Sequence, residues 1–442
     1  MELSKVLIKQ ILWLQTWKTK EGAYNGPVVH RYDLKRMFKI HDTPWSQGPI
    51  INGYINLFTK TEEKKWLKEA ISAADLQCKR LQKTGEYKYA GFEDDRFSSL
   101  VHNSLANCAL LDLAETMIKQ GMNTAKYIKT VKFNIDNYII GQLWNKEFGA
   151  FKFSKTDYYS LDKVRFVVNM NSVAVESLIK LSYLTGKKEY QEYALRVGEW
   201  ILKEQITSNN LENGGINYSQ VQPHVLIAIY TALAMRGLDD LYNLTSDERY
   251  LEMIKNAAHH LVNLKDPETK LFYHASINGE LIKYPEFIAG SGIIFKALDD
   301  AEKVTGIIYD YNDSLSTVIK NQLSNGGFPN FIGYRDFNNK IEVWEDIIPV
   351  TGWNAHLFEF LTRKIEDVSF LNDCKVSSSN CLRKNFYYGE GSLSTLILCI
   401  WPISSITLYF TIKRMNTSLL YISGHQIKIV MLQLYNMVNR KG

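Results

Sequence analysis

The sequence predicts an all-α fold, an (α/α)6 toroid of six helical hairpins, followed by a C-terminal hydrophobic helix. The first observation is a repeated turn that pairs glycine with small and aromatic residues, as in "NGGINY" (213–218) and "NGGF" (325–328). The second is an alternation of two helix types between these turns. The third is a run of 21 residues without a charge near the C terminus.

The turns recur at a nearly constant interval, which indicates a repeat architecture. In register they fall at Gly22, Gly85, Gly149, Gly214, Lys270 and Gly326, with separations of 63, 64, 65, 56 and 56 residues. We expect the glycines to end helices through left-handed C-cap geometry, and the aromatic residues to line one open end of the ring, the mouth. The alternative is that these turns only cap helices and pack against their neighbours.

Between the turns, one helix of each pair is amphipathic and the other is apolar nearly all round. Amphipathic helices suit an outer ring and apolar ones an inner ring, buried on both sides. The predicted outer helices lie near 2–17, 62–82, 123–142, 187–205, 246–264 and 308–323. The predicted inner helices lie near 47–58, 98–119, 169–184, 222–242, 285–304 and 345–363. Six such hairpins satisfy their apolar faces by closing into a double ring, predicted to span residues 1–365.

The excess positive charge lies in the C-terminal tail. From Lys364 onwards there are nine Lys or Arg and four Asp or Glu, which leaves 43 of each sign in residues 1–363. A neutral body argues against a nucleic-acid partner. The five cysteines form neither a disulfide framework nor a CxxC metal motif, so we expect reduced thiols.

The uncharged run, "SLSTLILCIWPISSITLYFTI" (392–412), is followed by Lys413 and Arg414. Its length matches a bilayer at about 1.5 Å per residue. We therefore predict a linker (366–391), a transmembrane helix (392–412) and a basic amphipathic tail (413–442), with the membrane as a partner. The alternative is a thirteenth helix packed on the toroid. Because no N-terminal secretion signal is visible, we expect a membrane-associated protein with its toroid in the cytoplasm.

Candidate functional residues come from the long connections and from the first turn of each inner helix, because these segments build the mouth. The catalytic candidates are Asp94, Asp95, Glu345, Asp346, His102, His224 and Tyr158. The candidates for binding a substrate are Trp45, Gln47, Asp42, Arg96, Asn171, Tyr218, Tyr334 and Trp353.

Most of these residues also have a structural explanation. Crowding of the acids at 93–95 is expected to raise the pKa of one carboxyl, as a general acid requires, but acids at a helix start also suit the positive end of its dipole. Asp42 is equally suited to capping a helix. His224 precedes an apolar run and fits a hydrogen-bonded histidine at a helix entrance.

Three segments carry a resemblance to a known group of proteins: "PWSQGPIINGYINLFTKTEEKKWLKEAISAA" (44–74), "LTGKKEYQEYALRVGEWIL" (184–202) and "TGWNAHLFEFLTR" (351–363). Over about the first 365 residues the chain resembles the six-hairpin glycosidase-like toroids. This superfamily contains glycoside hydrolases, polysaccharide lyases and the helical domain of uronyl C5-epimerases. Terpenoid cyclases and protein prenyltransferases have a related toroid, but this chain lacks a DxDD motif and an evident zinc-ligand set.

The resemblance implies a saccharide substrate, with hydrolysis, elimination or uronate epimerisation, in glycan or exopolysaccharide metabolism at a membrane. The competing hypothesis is a non-catalytic toroid that binds glycan or assembles other proteins. Paired carboxyls roughly 5 to 10 Å apart across an open cleft favour hydrolysis, whereas a cleft filled by aromatic side chains favours the non-catalytic toroid. No phosphate loop, HExxH, GxSxG or dinucleotide motif is present, and we expect no cofactor. The sequence leaves a metal requirement and the oligomeric state open.

Overall fold

The computed structural model describes residues 3–32, 35–40, 43–90, 98–155, 166–333, 349–366, 368 and 371, with only the backbone described at 27–32 and 35–40. All of them belong to the first of two compact units, residues 1–376. The second unit, 377–442, lies outside the described residues, and so does the predicted transmembrane segment 392–412. Among the helices that are described, none is both long enough and apolar enough to cross a bilayer.

Twelve α-helices are found in the described part of the chain, and they alternate between an outer and an inner position. The outer helices are α1 (Leu3–Thr16), α3 (Lys64–Lys79), α5 (Ala125–Asn134, continued by a π-helical stretch Ile135–Leu143), α7 (Glu189–Ile201), α9 (Glu248–Asn263) and α11 (Asn312–Lys320). The inner helices are α2 (Pro44–Thr61), α4 (Leu100–Lys119), α6 (Val168–Thr185), α8 (Ala228–Thr245), α10 (Ser291–Thr305) and α12 (Thr351–Lys364).

The inner helices form a closed ring. Each packs against the next in sequence, from α2 through α4, α6, α8 and α10 to α12, and α12 packs against α2. Buried aliphatic and aromatic side chains fill the space between this ring and the outer helices. The predicted (α/α)6 toroid is therefore confirmed for the described part of the chain.

Short strands occur in the long connections, which the all-α prediction did not include. They are β1 (Pro27–Tyr32), β2 (Lys35–Ile40), β3 (Trp144–Asn145), β4 (Ala150–Phe151), β5 (Val225–Ile227), β6 (Ala275–Ile277), β7 (Glu280–Ile282), β8 (Glu286–Phe287) and β9 (Phe331–Ile332). The pairs β1–β2, β3–β4, β5–β6, β6–β7 and β8–β9 are all antiparallel.

Two inner helices begin later than predicted because strands occupy their expected first turns. The helix predicted from residue 222 begins at Ala228, since 225–227 pair with 275–277. The helix predicted from residue 285 begins at Ser291, since 286–287 pair with 331–332. Apolar runs in short buried strands have the same composition as the start of a buried helix, so periodicity alone did not separate them.

The six repeated turns share a positive φ at the equivalent position. The φ angles at the six positions are +94° at Gly22, +102° at Gly85, +66° at Gly149, +81° at Gly214, +65° at Lys270 and +96° at Gly326. The alignment of the six turns in the sequence therefore identified equivalent positions, including Lys270, where the residue is not glycine.

The predicted role of these turns was wrong in two respects. They do not end α-helices, because each lies in a tight hairpin after an outer helix, as in the bridges Lys18↔Tyr24 and Leu81↔Tyr87. Left-handed C-caps instead follow inner helices, for example Gly186 after α6 and Gly306 after α10. The aromatic residues after the turns do not line the mouth, since Tyr24, Tyr87, Phe151, Phe272 and Phe328 are buried in the core. Of the alternative, the packing of the turns against their neighbours agrees with the structure, but the capping of helices does not.

An asparagine in the first turn of three inner helices holds these hairpins in place. Its side-chain Oδ1 accepts a hydrogen bond from the backbone N–H of the buried aromatic residue. The pairs are Asn103 with Tyr87 at 3.0 Å, Asn171 with Phe151 at 2.7 Å and Asn354 with Phe328 at 2.7 Å. The repeat thus fixes each long connection to the start of the following inner helix.

Replacing Gly326 by alanine is expected to destabilise the fold far more than replacing Gly306. Both glycines have positive φ, but a Cβ at Gly326 would lie 2.2 Å from the carbonyl oxygen of Lys9, whereas a Cβ at Gly306 would have no neighbour within 4 Å. Gly306→Ala should cost about 1–2 kcal/mol from backbone strain alone. Gly326→Ala should cost more than about 3 kcal/mol, because the α1 backbone must also move. Urea unfolding of both variants measures the difference, and equal losses would show that the close approach is unimportant.

Candidate active site

The mouth lies at the end of the ring where the inner helices begin, reached by the long connections after the outer helices. Several predicted site residues are in parts of these connections outside the described residues. They are Asp42, Asp94, Asp95, Arg96, Tyr158, Tyr334, Glu345 and Asp346. Their roles stay predictions, and so does the pairing of carboxyl groups on which hydrolysis depends.

Four side chains from three inner helices meet inside the mouth. The ring of Trp45 on α2 stacks on His102 of α4, with 5.9 Å between ring centroids. It also contacts Trp353 and His356 of α12, at 5.6 Å and 4.5 Å. We call Trp45, His102, Trp353 and His356 the mouth cluster. It brings together three of the predicted site residues.

More aromatic rings extend this cluster towards α10. Phe287 lies 5.8 Å from Trp353 and 5.1 Å from Phe331, and Phe331 lies 6.0 Å from Trp353. His274 stacks on Phe287 at 5.4 Å. The result is a continuous layer of rings that extends from α4 past α2 and α12 to the connection before α10.

The histidines of the mouth cluster are deeply buried. His102 is 1% exposed and His356 is 4% exposed. Burial lowers the pKa of His356 well below its usual range, and the positive charges of Arg236 and Lys296 and the proximity of His102 add to the effect. The His356 imidazole is therefore neutral at neutral pH. Its Nε2 atom has no hydrogen-bond partner among the described residues.

His356 was not among the predicted site residues, although the sequence carried a signal for it. It lies three residues after Trp353 in α12, and residues at that spacing share one face of a helix. Once Trp353 is placed at the mouth, His356 must lie one turn deeper on the same side.

His224 lies in a different environment from the mouth cluster. Its Nδ1 is 2.9 Å from Oε2 of the buried carboxyl of Glu212, and its backbone has a positive φ of 60°. The other oxygen of Glu212 accepts a hydrogen bond from the Gly279 N–H at 2.9 Å. This pair ties the connection before α8 to the hairpin formed by β6 and β7, and the catalytic role predicted for His224 stays a prediction.

The other described candidates mainly contact the backbone or the core. Gln47 donates from Nε2 to the carbonyl oxygens of Gly22 and Ala73. Asn171 donates from Nδ2 to the carbonyl oxygens of Phe151 and Val167, so both of its donor hydrogens are used. Tyr218 stacks on Tyr230 with centroids 5.2 Å apart. These contacts position the connections that surround the mouth.

A small void lies below His356, further along the ring axis. Its polar lining is formed by His356, Arg236, Lys296 and Glu359. The mouth cluster thus borders charged groups on its inner side. Within the described ranges, no group of three or more His, Cys, Asp or Glu side chains is arranged to hold a metal ion.

No protein-family model and no curated protein matches this sequence. Solved structures do match the fold. A cellobiose 2-epimerase from Bacillus thermoamylovorans is 12% identical with a TM-score of 0.59, over 82% of this chain and 99% of that one. A D-mannose isomerase is 13% identical with a TM-score of 0.60, over 82% and 97% of the two chains.

A glycoside hydrolase family 76 mannosidase from Bacteroides thetaiotaomicron is also similar, at 11% identity and a TM-score of 0.55, over 82% of this chain and 97% of that one. These identities are low, so the likeness concerns the fold. It covers nearly the whole length of each matched structure. The chain therefore has the (α/α)6 toroid fold of these structures, which is the fold that the resemblance in its sequence implied.

Proposed function

We propose that the protein is a carbohydrate-active enzyme that moves a proton on a sugar, as an epimerase or isomerase does. The observation that carries the proposal is the pair of buried imidazoles, His102 and His356, which contact the same Trp45 ring inside the mouth. Two of the structures with this fold are a cellobiose 2-epimerase and a D-mannose isomerase.

The chemistry requires a base that is neutral when the substrate arrives. His356 meets this requirement, since burial and the cations below it keep its pKa low. In the proposed step, Nε2 of His356 takes a proton from the carbon next to a sugar carbonyl, and the electron pair of the C–H bond moves towards the carbonyl oxygen. For epimerisation, a protonated His102 then delivers its proton to the opposite face of the same carbon, and the electron pair on oxygen returns to re-form the carbonyl. For isomerisation, His102 delivers its proton to the former carbonyl carbon, while the proton of the neighbouring hydroxyl passes to the former carbonyl oxygen and the new carbonyl forms. In either case His356 ends with the additional proton and His102 without it.

The tryptophans of the mouth cluster suit the binding of a sugar ring. Trp353 is half-buried and Trp45 is 6% exposed. An aromatic face provides a large apolar contact surface. We propose that Trp353 contacts the substrate and that Trp45 holds the two imidazoles in position.

Hydrolysis and elimination are alternative reactions for the same mouth. Hydrolysis would use two carboxyls from the predicted set of Asp94, Asp95, Glu345 and Asp346. A mannosidase and an unsaturated glucuronyl hydrolase share the fold, so a toroid of this kind is compatible with hydrolysis.

A non-catalytic toroid is the second candidate function. It is favoured by the near-complete burial of Trp45, His102 and His356, which fills the described part of the mouth with rings. In this case the protein would bind glycan at the mouth or assemble other proteins without turning over a substrate.

A product analysis separates these candidates. The full chain is incubated with reducing mono- and disaccharides and with uronate-containing polysaccharides, and the products are identified by mass spectrometry and NMR. Epimerisation or isomerisation gives a new sugar of unchanged mass, hydrolysis adds the mass of water, and elimination gives an unsaturated product. Absence of turnover together with saturable glycan binding would favour the non-catalytic toroid.

Replacing His356 by asparagine is expected to reduce turnover by at least about a hundredfold, because a general base contributes roughly 10²–10⁴-fold to a rate. The matched control is His259→Asn, since His259 is an exposed histidine on α9. The control should keep full activity, and both variants should retain the far-UV circular dichroism of the wild type. Equal activity in both variants would remove His356 from the reaction.

We propose further that residues 392–412 anchor the protein to a membrane, with the toroid in the cytoplasm. Support comes from the length and apolar composition of this segment. Fractionation of the full chain beside a version ending at Lys364 tests the anchor. We expect only the full chain to sediment with membranes and to need detergent for release. Recovery of both from the supernatant would contradict the anchor.

A further inference from the structure

A charged cavity lies towards the opposite end of the ring from the mouth. It has a volume of about 190 Å³ and is lined by the second halves of α6, α8 and α10 and by the end of α12. Among its lining residues, the side chains of Lys180, Asp300 and Arg363 are 26%, 23% and 23% exposed. Solvent therefore reaches the walls of this cavity.

The charged cavity and the small void below His356 have walls in common. Arg236 on α8 and Lys296 and Ala297 on α10 line both spaces. His356 and Glu359 of α12 line the void. The two spaces are therefore adjacent along the ring axis, with the mouth cluster at one end of the series and solvent at the other.

The void is polar and has room for one water molecule. Its volume is about 10 Å³, which is close to the smallest space that holds a water. A buried water makes about three hydrogen bonds. The polar side chains that line the void are those of His356, Arg236, Lys296 and Glu359. A water in this void thus has enough partners and contacts the wall that the charged cavity shares.

The positive charges at the boundary between the two spaces are compensated. Arg236 donates to both carboxylate oxygens of Glu176, at 2.6 Å and 3.0 Å. Lys296 pairs with Asp300 at 2.9 Å. Glu359, which is 3% exposed, adds a negative charge at the void itself. Because each boundary cation has a carboxylate partner, a proton that passes between the spaces does not meet an isolated positive charge.

The other side of His356 is covered by rings. The ring of Trp45 lies 4.5 Å from that of His356, centroid to centroid, and Trp45 is 6% exposed. A sugar bound at the mouth cluster covers this side further. The polar side of His356 is the one that borders the void.

We propose that His356 exchanges its proton with solvent through the void and the charged cavity, at the face opposite the mouth. This inference rests on the proposed reaction, in which His356 ends with an additional proton, and it assigns the route by which the base is restored. The proton passes from the His356 imidazolium to water in the void, then past Ala297 to water in the cavity, and the imidazole returns to its neutral form. An equal proton returns to His102 from solvent at the mouth.

Two features of the void favour release of the proton in this direction. Burial and the positive charges of Arg236 and Lys296 lower the pKa of His356, so its charged form is a strong proton donor. The carboxylate of Glu359 lies one helical turn below His356 and stabilises a proton on the water between them.

Replacing Ala297 by leucine should close the route, because Ala297 lines both spaces and a larger side chain fills the boundary. The matched control is Ala301→Leu, since Ala301 lies one turn further along α10 and lines the cavity alone. Exchange of the His356 ring N–H with water is measured by NMR on the full chain with isotopically labelled histidine, and His356→Asn identifies the signal. We expect exchange about tenfold slower in Ala297→Leu, because a group cut off from solvent exchanges only through local opening.

Exchange at His356 in Ala301→Leu, and at His102 in both variants, should match the wild type. A second variant adds no volume: Glu359→Gln should slow exchange at His356 by about threefold through loss of one charge, while the exposed control Glu192→Gln should not. Equal exchange in wild type and Ala297→Leu, equal slowing by both leucine variants, or, should Ala297→Leu not fold, unchanged exchange in Glu359→Gln would each overturn the route.

These measurements need no substrate, so they separate the route from the reaction. For a sugar that the protein turns over, Ala297→Leu should lower kcat and leave kcat/KM unchanged, because the proton leaves after the product. A wild type that turns over no sugar, with the exchange differences intact, would remove the reaction and leave the path to solvent in place.

Discussion

Removal of residues 1–20 is expected to leave no soluble, folded protein. Helix α1 closes the outer ring beside α12, where Nε2 of Gln10 donates to the carbonyl oxygen of Asn354 at 3.0 Å. On the side of α11, Nε2 of Gln322, two residues after the end of that helix, donates to the carbonyl oxygen of Val6 at 2.8 Å. Loss of α1 exposes apolar faces on its neighbours, and large exposed apolar patches lead to aggregation.

Two adjacent residues of α1 provide a matched comparison for this prediction. Ile11 is 0% exposed and Leu12 is 38% exposed. Ile11→Asp should abolish cooperative unfolding or lower its midpoint strongly, whereas Leu12→Asp should change it little. A monomeric, cooperatively folded protein without residues 1–20 would contradict ring closure.

Replacing Arg236 by methionine should cost about 3–5 kcal/mol, because it leaves the buried Glu176 carboxylate with Lys180 alone. The Arg236 and Glu176 side chains are only 9% and 7% exposed. Replacing both, as Glu176→Leu with Arg236→Met, should recover much of the loss, since a hydrophobic pair removes both charges. A double-mutant cycle by urea unfolding measures the coupling, and additive losses would show that the pair does not act as a unit.

The pH dependence of this pair has a definite sign. Burial alone would raise the pKa of Glu176, but Arg236 and Lys180 outweigh it and hold the pKa well below its usual range. A carboxyl with a lowered pKa contributes stability above its unfolded pKa, and this contribution is lost as the pH falls towards the folded value. In Arg236→Met only Lys180 opposes the effect of burial, so the pKa of Glu176 is higher than in the wild type. The difference in stability between wild type and Arg236→Met should therefore be largest at high pH and should shrink as the pH falls and Glu176 of the variant takes up a proton, which urea unfolding between pH 9 and pH 5 measures.

The fold was predictable because its signals are local and repeated. The period of the turns and the amphipathic outer helices locate the hairpins, and even Lys270 proved equivalent to the five glycines by its φ of +65°. The starts of α8 and α10 were missed because the strands that delay them, β5 and β8, pair with segments at 275–277 and 331–332, tens of residues away.

The charged cavity was not predicted, since its partners are distant in sequence. Glu176 and Arg236 are separated by 60 residues and Lys180 and Asp112 by 68. In the sequence these residues are isolated charges on otherwise apolar inner helices. Closure of the ring places them together on its axis.

At the mouth, the residue types at helix starts identified Trp45, His102 and Trp353, which do lie together. The low pKa of His356 follows first from its burial inside the closed ring and then from the charges of Arg236 on α8 and Lys296 on α10, which no local pattern reveals.

The most direct test of the central claim is turnover in D2O, followed by NMR with a panel of reducing sugars. We expect the wild type to form an isomeric sugar that carries deuterium at the carbon next to the carbonyl, because the C–H bond is broken and a solvent-derived deuteron is returned. His356→Asn should give neither product nor deuterium incorporation, and His259→Asn should match the wild type. A product without deuterium at that carbon, or undiminished exchange in His356→Asn, would contradict proton transfer by the buried imidazoles.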